Sequence, residues 1–280
     1  MDFIWFHLDF IWISFILLLV SSSAIGSAVP GGVVVWDIPD GATGIRYQNR
    51  PVLIIGSKAI VGIPVFEKPG QHSLSFMLDG ERKNHNFEVK EKKYTEQHIT
   101  IKNKALVSPP QTQLDRIREE SKRQRALYDS YSSVVQFKGG FEMPLEGTIT
   151  SLFGHRRYFN GQPRSPHSGL DIAAKEGTPI LAPASGEIVL ADELYFNGKT
   201  VFIDHGQGLV TMYCHMSQIL VANGKAVQQG HQIGLVGSTG RATGPHLHWS
   251  VSLNGFRVDP YILIENLNTI VGAGDVSYGG

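Results

Sequence analysis

A mostly β fold is predicted, with an antiparallel β sandwich or partly open barrel in the C-terminal half, a small all-β region before it and a helical linker between. Three observations lead there. Short runs rich in β-branched and aromatic residues recur between glycine turns from Phe141 onward, the pattern of an all-β domain. A second set of such runs (GVVVW, PVLII, AIVGIPVF, HSLSFML, QHITI) fills the chain from Val29 to Lys102. Between the two sets lies QLDRIREESKRQRALYDSY, rich in helix formers and mixed charge.

Residues 1–28 contain an apolar run from Ile11 to Val20, followed by small residues near Ala24 and Ala28. That arrangement suits a cleaved signal peptide and an exported protein. The cationic segment that normally opens such a peptide is missing, and Phe3 to Val20 also fits an uncleaved anchor, the one route to a membrane that the sequence offers.

Residues 29–102 read as the small β-rich N-terminal domain, with period-2 alternation clearest in HSLSFML. His72, His85 and His98 are far apart in it and read as surface or strand residues. Pro109 and Pro110 end this pattern, and residues 103–140 read as a charged helical linker. On its helix Leu114, Ile117 and Tyr128 share a face, and Glu119 precedes Arg123 by four residues in the favourable orientation. Residues 141–265 form the second β domain, and 266–280 a flexible C-terminal tail.

Lysine plus arginine (25) equals aspartate plus glutamate (25) across 280 residues. No field of one sign therefore steers the chain to nucleic acid. The single cysteine, Cys214, cannot form an intrachain disulfide, so stability rests on packing.

The chemistry-bearing residues lie in the second β domain. In PHSGLDIA, His167 and Asp171 would stand about 13 Å apart on an extended strand, too far to share an ion. The chain must bend between them, and Gly169 makes that bend cheap. In GPHLHWSVSL, His246, His248, Ser250 and Ser252 alternate with Leu247, Trp249, Val251 and Leu253. That alternation marks a strand with both imidazoles on one face; on a helix they would diverge by about 200°. In GLVTMYCHMS, His215 shares a face with Leu209, Thr211 and Tyr213, while Cys214 points the other way and reads as a small buried residue. Imidazole nitrogen and carboxylate oxygen together suit zinc at roughly 2 Å. Either motif alone is common; their joint occurrence in one β domain, bracketing a third histidine, points to a metal site.

These residues resemble a known family, the lysostaphin-type or β-lytic zinc metallopeptidases, which are bacterial murein hydrolases with a LytM-like catalytic domain. The resemblance runs through FGHRRYFNGQPRSPHSGLDIAAKEGTPILAPASGEIVLAD, NGKTVFIDHGQGLVTMYCHMS and GHQIGLVGSTGRATGPHLHWSVSLNGFRVDP, from about Phe141 to Tyr261. More loosely, the preceding β region is similar to the N-terminal domain that accompanies some members.

The resemblance implies a sandwich of the duplicated hybrid motif type. It implies one Zn2+ per chain held by His167, Asp171 and His248, with a fourth position left for water, and His215 and His246 as the catalytic pair. It further implies peptidoglycan stem peptides as substrate, a regulatory partner in the envelope, and a periplasmic or envelope location. His155 and His231 depart from the usual pattern and read as incidental surface residues. Arg156, Arg157, Tyr158 and Asn160 suit either a cleft wall or a solvated turn and are left out of the expected site.

Two other functions compete. A catalytically silent or latent wall-binding regulator of another hydrolase would be expected to lack ligands, and all five site residues are present. A phosphate-accepting carrier domain has a similar glycine-rich β pattern, but an export leader and a separate H-x3-D motif fit it poorly.

Overall fold

The structure is a computed structural model and describes residues 25–272. The leader expected over residues 1–28 lies, up to residue 24, outside the described residues, as do positions 273–280 of the expected tail.

The first part of the chain is all β: β1 (Ile25–Ser27), β2 (Val33–Asp37), β3 (Thr43–Tyr47), β4 (Arg50–Pro51), β5 (Leu53–Ile55), β6 (Lys58–Gly62), β7 (Gly70–Leu78), β8 (Glu81–Val89) and β9 (Glu96–Ile99). Strands β1-β2-β6-β5 and β4-β3-β7-β8 form two sheets. The run Val33 to Trp36 is buried on both faces, which explains why it is continuously apolar rather than alternating. Val34 and Trp36 pack with Ile45, Leu74 and Phe87 between these two sheets. Val33 and Val35 instead join Leu53, Ile55 and Ile60 in the core of the second half. The two β regions therefore share a hydrophobic core. Asn254 adds a polar seam, its side-chain oxygen accepting from Gly62 N (2.6 Å) and its amide donating to Gly62 O (3.1 Å).

Helix α1 spans Leu114–Tyr128, within the stretch expected to be a linker. It lies docked on the second half rather than standing free. Tyr128 is buried and its hydroxyl reaches the Met212 sulfur at 3.0 Å. In place of the expected Glu119 to Arg123 pair, Arg123 pairs with Asp192 of the sheet, while Glu120 binds Arg116 of the same helix (2.7 Å) and accepts from Tyr195 N (2.8 Å).

The second half contains β10 (Thr148–Ser151), β11 (Arg156–Phe159), β12 (Gln162–Pro163), β13 (Leu170–Ala173), β14 (Pro179–Leu181), β15 (Gly186–Leu194), β16 (Gly198–Asp204), β17 (Val210–Met216), β18 (Gln218–Ile219), β19 (Ala226–Val227), β20 (Gln232–Leu235), β21 (His246–Leu253) and β22 (Phe256–Val258). Its main antiparallel sheet runs β10-β13-β21-β17-β16-β15-β19, with β22 also paired to β21, and a small sheet β14-β20-β18 packs with it. The inward residues Leu247, Trp249, Val251 and Leu253 of β21 fill the core between them, the mostly β architecture expected.

Residues 266–272 are not a tail. They complete helix α2 (Pro260–Gly272), whose Leu263, Leu267 and Ile270 are buried in the main core. Their spacing of four and three is that of one helix face. Pro260 occupies the first helical position, where its missing N–H costs nothing, and Asp259 accepts a hydrogen bond from Tyr261 N (3.2 Å). Among the described residues, no helix is long and apolar enough to cross a membrane.

One histidine belongs wholly to the core. His205 is fully buried, with Nδ1–H donating to Ser185 O and Nε2 at the Thr211 hydroxyl, both at 2.8 Å. Burial pushes its pKa down to about 4. In the unfolded chain the ring takes a proton below about pH 6.5. Its stabilising contribution is thus complete above that pH and is lost as pH falls toward 4. His205→Gln should flatten the pH dependence of stability in that window by up to about 1.4 kcal/mol per pH unit, read from denaturant midpoints at pH 7, 5.5 and 4.5. Parallel curves for variant and parent would refute the assignment.

Candidate metal centre

The adjacent strands β13 and β21 set Asp171 directly opposite His248, and Ala173 opposite His246. Opposed side chains on antiparallel strands are near enough to touch. Asp171 Oδ1 lies 2.7 Å from His248 Nδ1 and 2.9 Å from His167 Nε2, and those two nitrogens are 3.0 Å apart. Three side chains separated by 81 positions thus present one atom each to a common point, all three buried.

Gly169 permits this approach in a way the sequence did not suggest. It is absent from the left-handed glycines of the described chain. Its role is close packing: a Cβ there would sit 2.1 Å from the Trp249 carbonyl oxygen. Gly169→Ala should therefore push the His167 segment off β21. We expect a loss of about 1–3 kcal/mol, as for other overpacked sites, together with weaker zinc retention. Urea unfolding and metal content measure the two effects, and an unchanged midpoint would contradict the packing role.

His215 ends β17 with φ of +63°, a left-handed conformation uncommon for a residue with a side chain. This turns its ring out of the strand's regular alternation and toward the other histidines. Its centroid lies 4.8 Å from that of His246 and 6.2 Å from that of His248, so all five expected site residues are brought together. Cys214, buried among Leu190, Phe202 and Met212, accepts a hydrogen bond from Asn197 Nδ2 (3.1 Å).

The hydrogen bonds fix the tautomers. A carbonyl can only accept, so His167 Nδ1–H donates to Leu152 O (2.7 Å), His215 Nδ1–H to Thr239 O (2.8 Å) and His246 Nδ1–H to Gly244 O (2.8 Å). Each neutral ring then carries a bare lone pair on Nε2. His248 uses the opposite edge: its Nε2 meets the Ser250 hydroxyl at 2.9 Å and its Nδ1 faces Asp171.

Burial lowers the pKa of His167 and pushes that of His248 down to about 4. It drives His215 to about 3, with the neighbouring His246 and His248 adding to the effect. Burial alone would raise the pKa of Asp171, but the closeness of the His167 and His248 rings outweighs it and holds the carboxyl well below its usual range.

This donor set suits a cation. With its Nδ1 proton committed to Leu152, a neutral His167 points an Nε2 lone pair at a carboxylate oxygen, an unfavourable meeting that a positive ion between them reverses. Four ligands around zinc at about 2.0–2.1 Å would stand roughly 3.4 Å apart, so the observed triangle needs only a slight opening. Outer partners are present too, with Leu152 O and Ser151 behind His167 and Ser250 behind His248, the usual means of orienting metal-binding imidazoles.

The sequence reading missed Arg157. Its guanidinium donates to Asp171 Oδ2, and its Nε donates to Gln97 Oε1 (3.1 Å). Gln97 belongs to β9, which pairs in parallel with β11 and so holds the strand carrying Arg157. Strand alternation in RRYF was the available signal: Arg157 and Phe159 line the cleft at the metal centre, while Arg156 and Tyr158 do not. Asn160 is structural, bonding Ile101 N (2.8 Å) and O (3.0 Å). His155 is half-buried, its Nδ1 3.4 Å from the Ser151 hydroxyl, and His231 is exposed.

Residues 165–260 match the model of peptidase family M23, and residues 26–92 that of the peptidase family M23 N-terminal domain. A crystal structure of a peptidase M23 protein from Pseudomonas aeruginosa is 40% identical, covers 85% of this chain and 95% of its own, and superposes with a TM-score of 0.71. The DD-carboxypeptidase/endopeptidase Mpg of Neisseria meningitidis is 44% identical over 134 residues, 47% of this chain and 31% of that protein. The peptidoglycan DD-endopeptidase ShyA of Vibrio cholerae is 42% identical over 108 residues, 38% of this chain and 25% of that protein. The chain thus spans less than a third of the length of these two curated relatives.

Proposed function

Because the chain belongs to peptidase family M23, we propose that it is a zinc-dependent endopeptidase hydrolysing peptide cross-links of bacterial peptidoglycan in the cell envelope. The D-alanyl bond to a diamino acid is the bond we assign to it, in line with the DD-endopeptidase names of its relatives. The observation that carries this reading is the meeting of His167 Nε2, Asp171 Oδ1 and His248 Nδ1 beside two further histidines with bare Nε2 atoms.

In this reading His167, Asp171 and His248 hold one Zn2+. When bound, the ion polarises the scissile carbonyl and makes a water more acidic. His215 and His246 both offer Nε2 as a proton acceptor. Whichever takes the proton of the attacking water becomes a donor, and can pass that proton to the leaving amine. The partner ring, at 4.8 Å between centroids, is near enough to orient the water or to stabilise the tetrahedral oxygen once protonated. Arg157 and the outer hydrogen bonds of Ser151, Leu152 and Ser250 keep the ligands aimed.

The test is release of peptide fragments from purified sacculi by the zinc-loaded chain, its abolition by a chelator, and its return on adding Zn2+. Sacculi left intact by the zinc-loaded protein would sink the proposal.

A further inference from the structure

The metal centre opens into a cleft of about 570 Å3 between α1 and the main sheet, lined by five arginines, Arg125, Arg157, Arg164, Arg241 and Arg257, with no aspartate or glutamate among its lining residues. Arg157 is paired with Asp171. The arginines that form ion pairs among the described residues do not include the other four. In a chain whose charges balance overall, four guanidiniums without a carboxylate partner, gathered in one cleft, are a local positive excess that favours an anion. Arg164 already donates to Val107 O (2.9 Å), Gln162 Oε1 (2.6 Å) and Pro163 O (3.2 Å), and Arg125 to Ser121 O (3.4 Å), so Arg164 contributes mainly its charge.

Arg241 is the best prepared of them. Its guanidinium carbon lies 4.8 Å from the ring centre of Phe159 and 4.4 Å from that of Phe196. These aromatic contacts hold the fork without using up its N–H groups. Among the described residues the guanidinium's hydrogen bond is a long one, from Nη1 to Leu106 O at 3.4 Å. Burial, with Arg157 and Arg164 adding to it, lowers its pKa to about 10, which is the electrostatic cost that a bound anion would remove. Arg241 also stands two residues beyond Thr239, whose carbonyl orients His215. Arg241 lines the same cleft as His215 and His248, so an anion bound to it would share that cleft with them.

We infer that Arg241, with Arg164 beside it, forms a carboxylate-binding subsite that selects peptides bearing a free carboxylate next to the scissile bond. The inference rests on the peptidase reading of the same cleft. Carboxylates of the wall peptide's acidic and diamino-acid residues have the required chemistry, because a guanidinium fork binds a carboxylate through two parallel N–H bonds. Amidation of such a carboxylate keeps its size and removes its charge.

The experiment compares a cross-linked stem peptide with its carboxamide counterpart, using the full chain. Binding is measured by calorimetry after zinc removal, and hydrolysis after zinc loading. The parent should bind and cleave the carboxylate form at least about tenfold better, the scale of one charge-assisted hydrogen bond. Arg241→Gln should bring that ratio close to one, with Arg241→Lys intermediate because it keeps the charge but not the fork. Arg164→Gln, which should lower the ratio as well, supplies the test if Arg241→Gln does not fold. Equal binding of the two peptides by the parent overturns the subsite even if hydrolysis is intact, and so does an equal loss on both peptides in Arg241→Gln. Failure of hydrolysis with the binding preference retained counts against the peptidase reading and leaves the subsite standing.

Discussion

Replacing His248 by alanine should remove zinc and hydrolysis together while leaving the protein folded. The side chain supplies one of three protein donors, and apparent binding energies of about 10–16 kcal/mol for four-ligand zinc sites imply a few kcal/mol per ligand. Affinity should fall on the order of 10²- to 10³-fold. Asp171 does not become an unpaired buried charge in this variant, because the Arg157 guanidinium still donates to it. The fold therefore has no strong reason to fail. Metal content by atomic absorption, unfolding midpoint and sacculus digestion together check the prediction. A variant retaining one zinc per chain would remove His248 from the ligand set.

Replacing His246 by alanine should separate the two properties. Zinc should stay, because His246 is not part of the triangle formed by His167, Asp171 and His248. Hydrolysis should fall by about 10²- to 10⁴-fold, the usual contribution of a positioned general acid or base. His246 is the half-exposed member of the cluster, held by Gly244 O and by its contact with the His215 ring, so its loss should disturb little else. Hydrolysis at the parental rate in this variant would exclude His246 from the catalytic pair. Comparing the two variants also separates metal binding from proton transfer, which activity alone cannot do.

The five residues now brought together were legible because each sat in a pattern whose period constrains direction. H-x-H on an alternating strand places both rings on one face, and β21 keeps that alternation. His215 was legible as a residue, but its left-handed backbone was not, because nothing in YCHMS encodes the turn that aims the ring. Arg157 escaped for a different reason. Its importance comes from the pairing of β11 with β9, strands some sixty positions apart, and a run of arginines by itself reads as a solvated turn. Residues 266–272, the second half of α2, read as a tail although Leu267 and Ile270 continue the helical spacing from Leu263, because the segment is too short for periodicity alone to decide. The charged helix was legible from its composition, and α1 buries only Tyr128; its contacts with the sheet, Arg123 to Asp192 and Glu120 to Tyr195 N, were not, because they join positions about seventy apart.

The pairing of β9 with β11 makes the N-terminal half a splint for the reaction centre. A fragment starting at residue 141 would keep every ligand yet lose the backbone partner of Arg156–Phe159 and the Gln97 acceptor shared by Arg157 and Ser151. The bared strand edge would invite self-association, and the guanidinium steadying Asp171 would lose its brace. A shortened chain would therefore hold the same side chains and still aim them poorly.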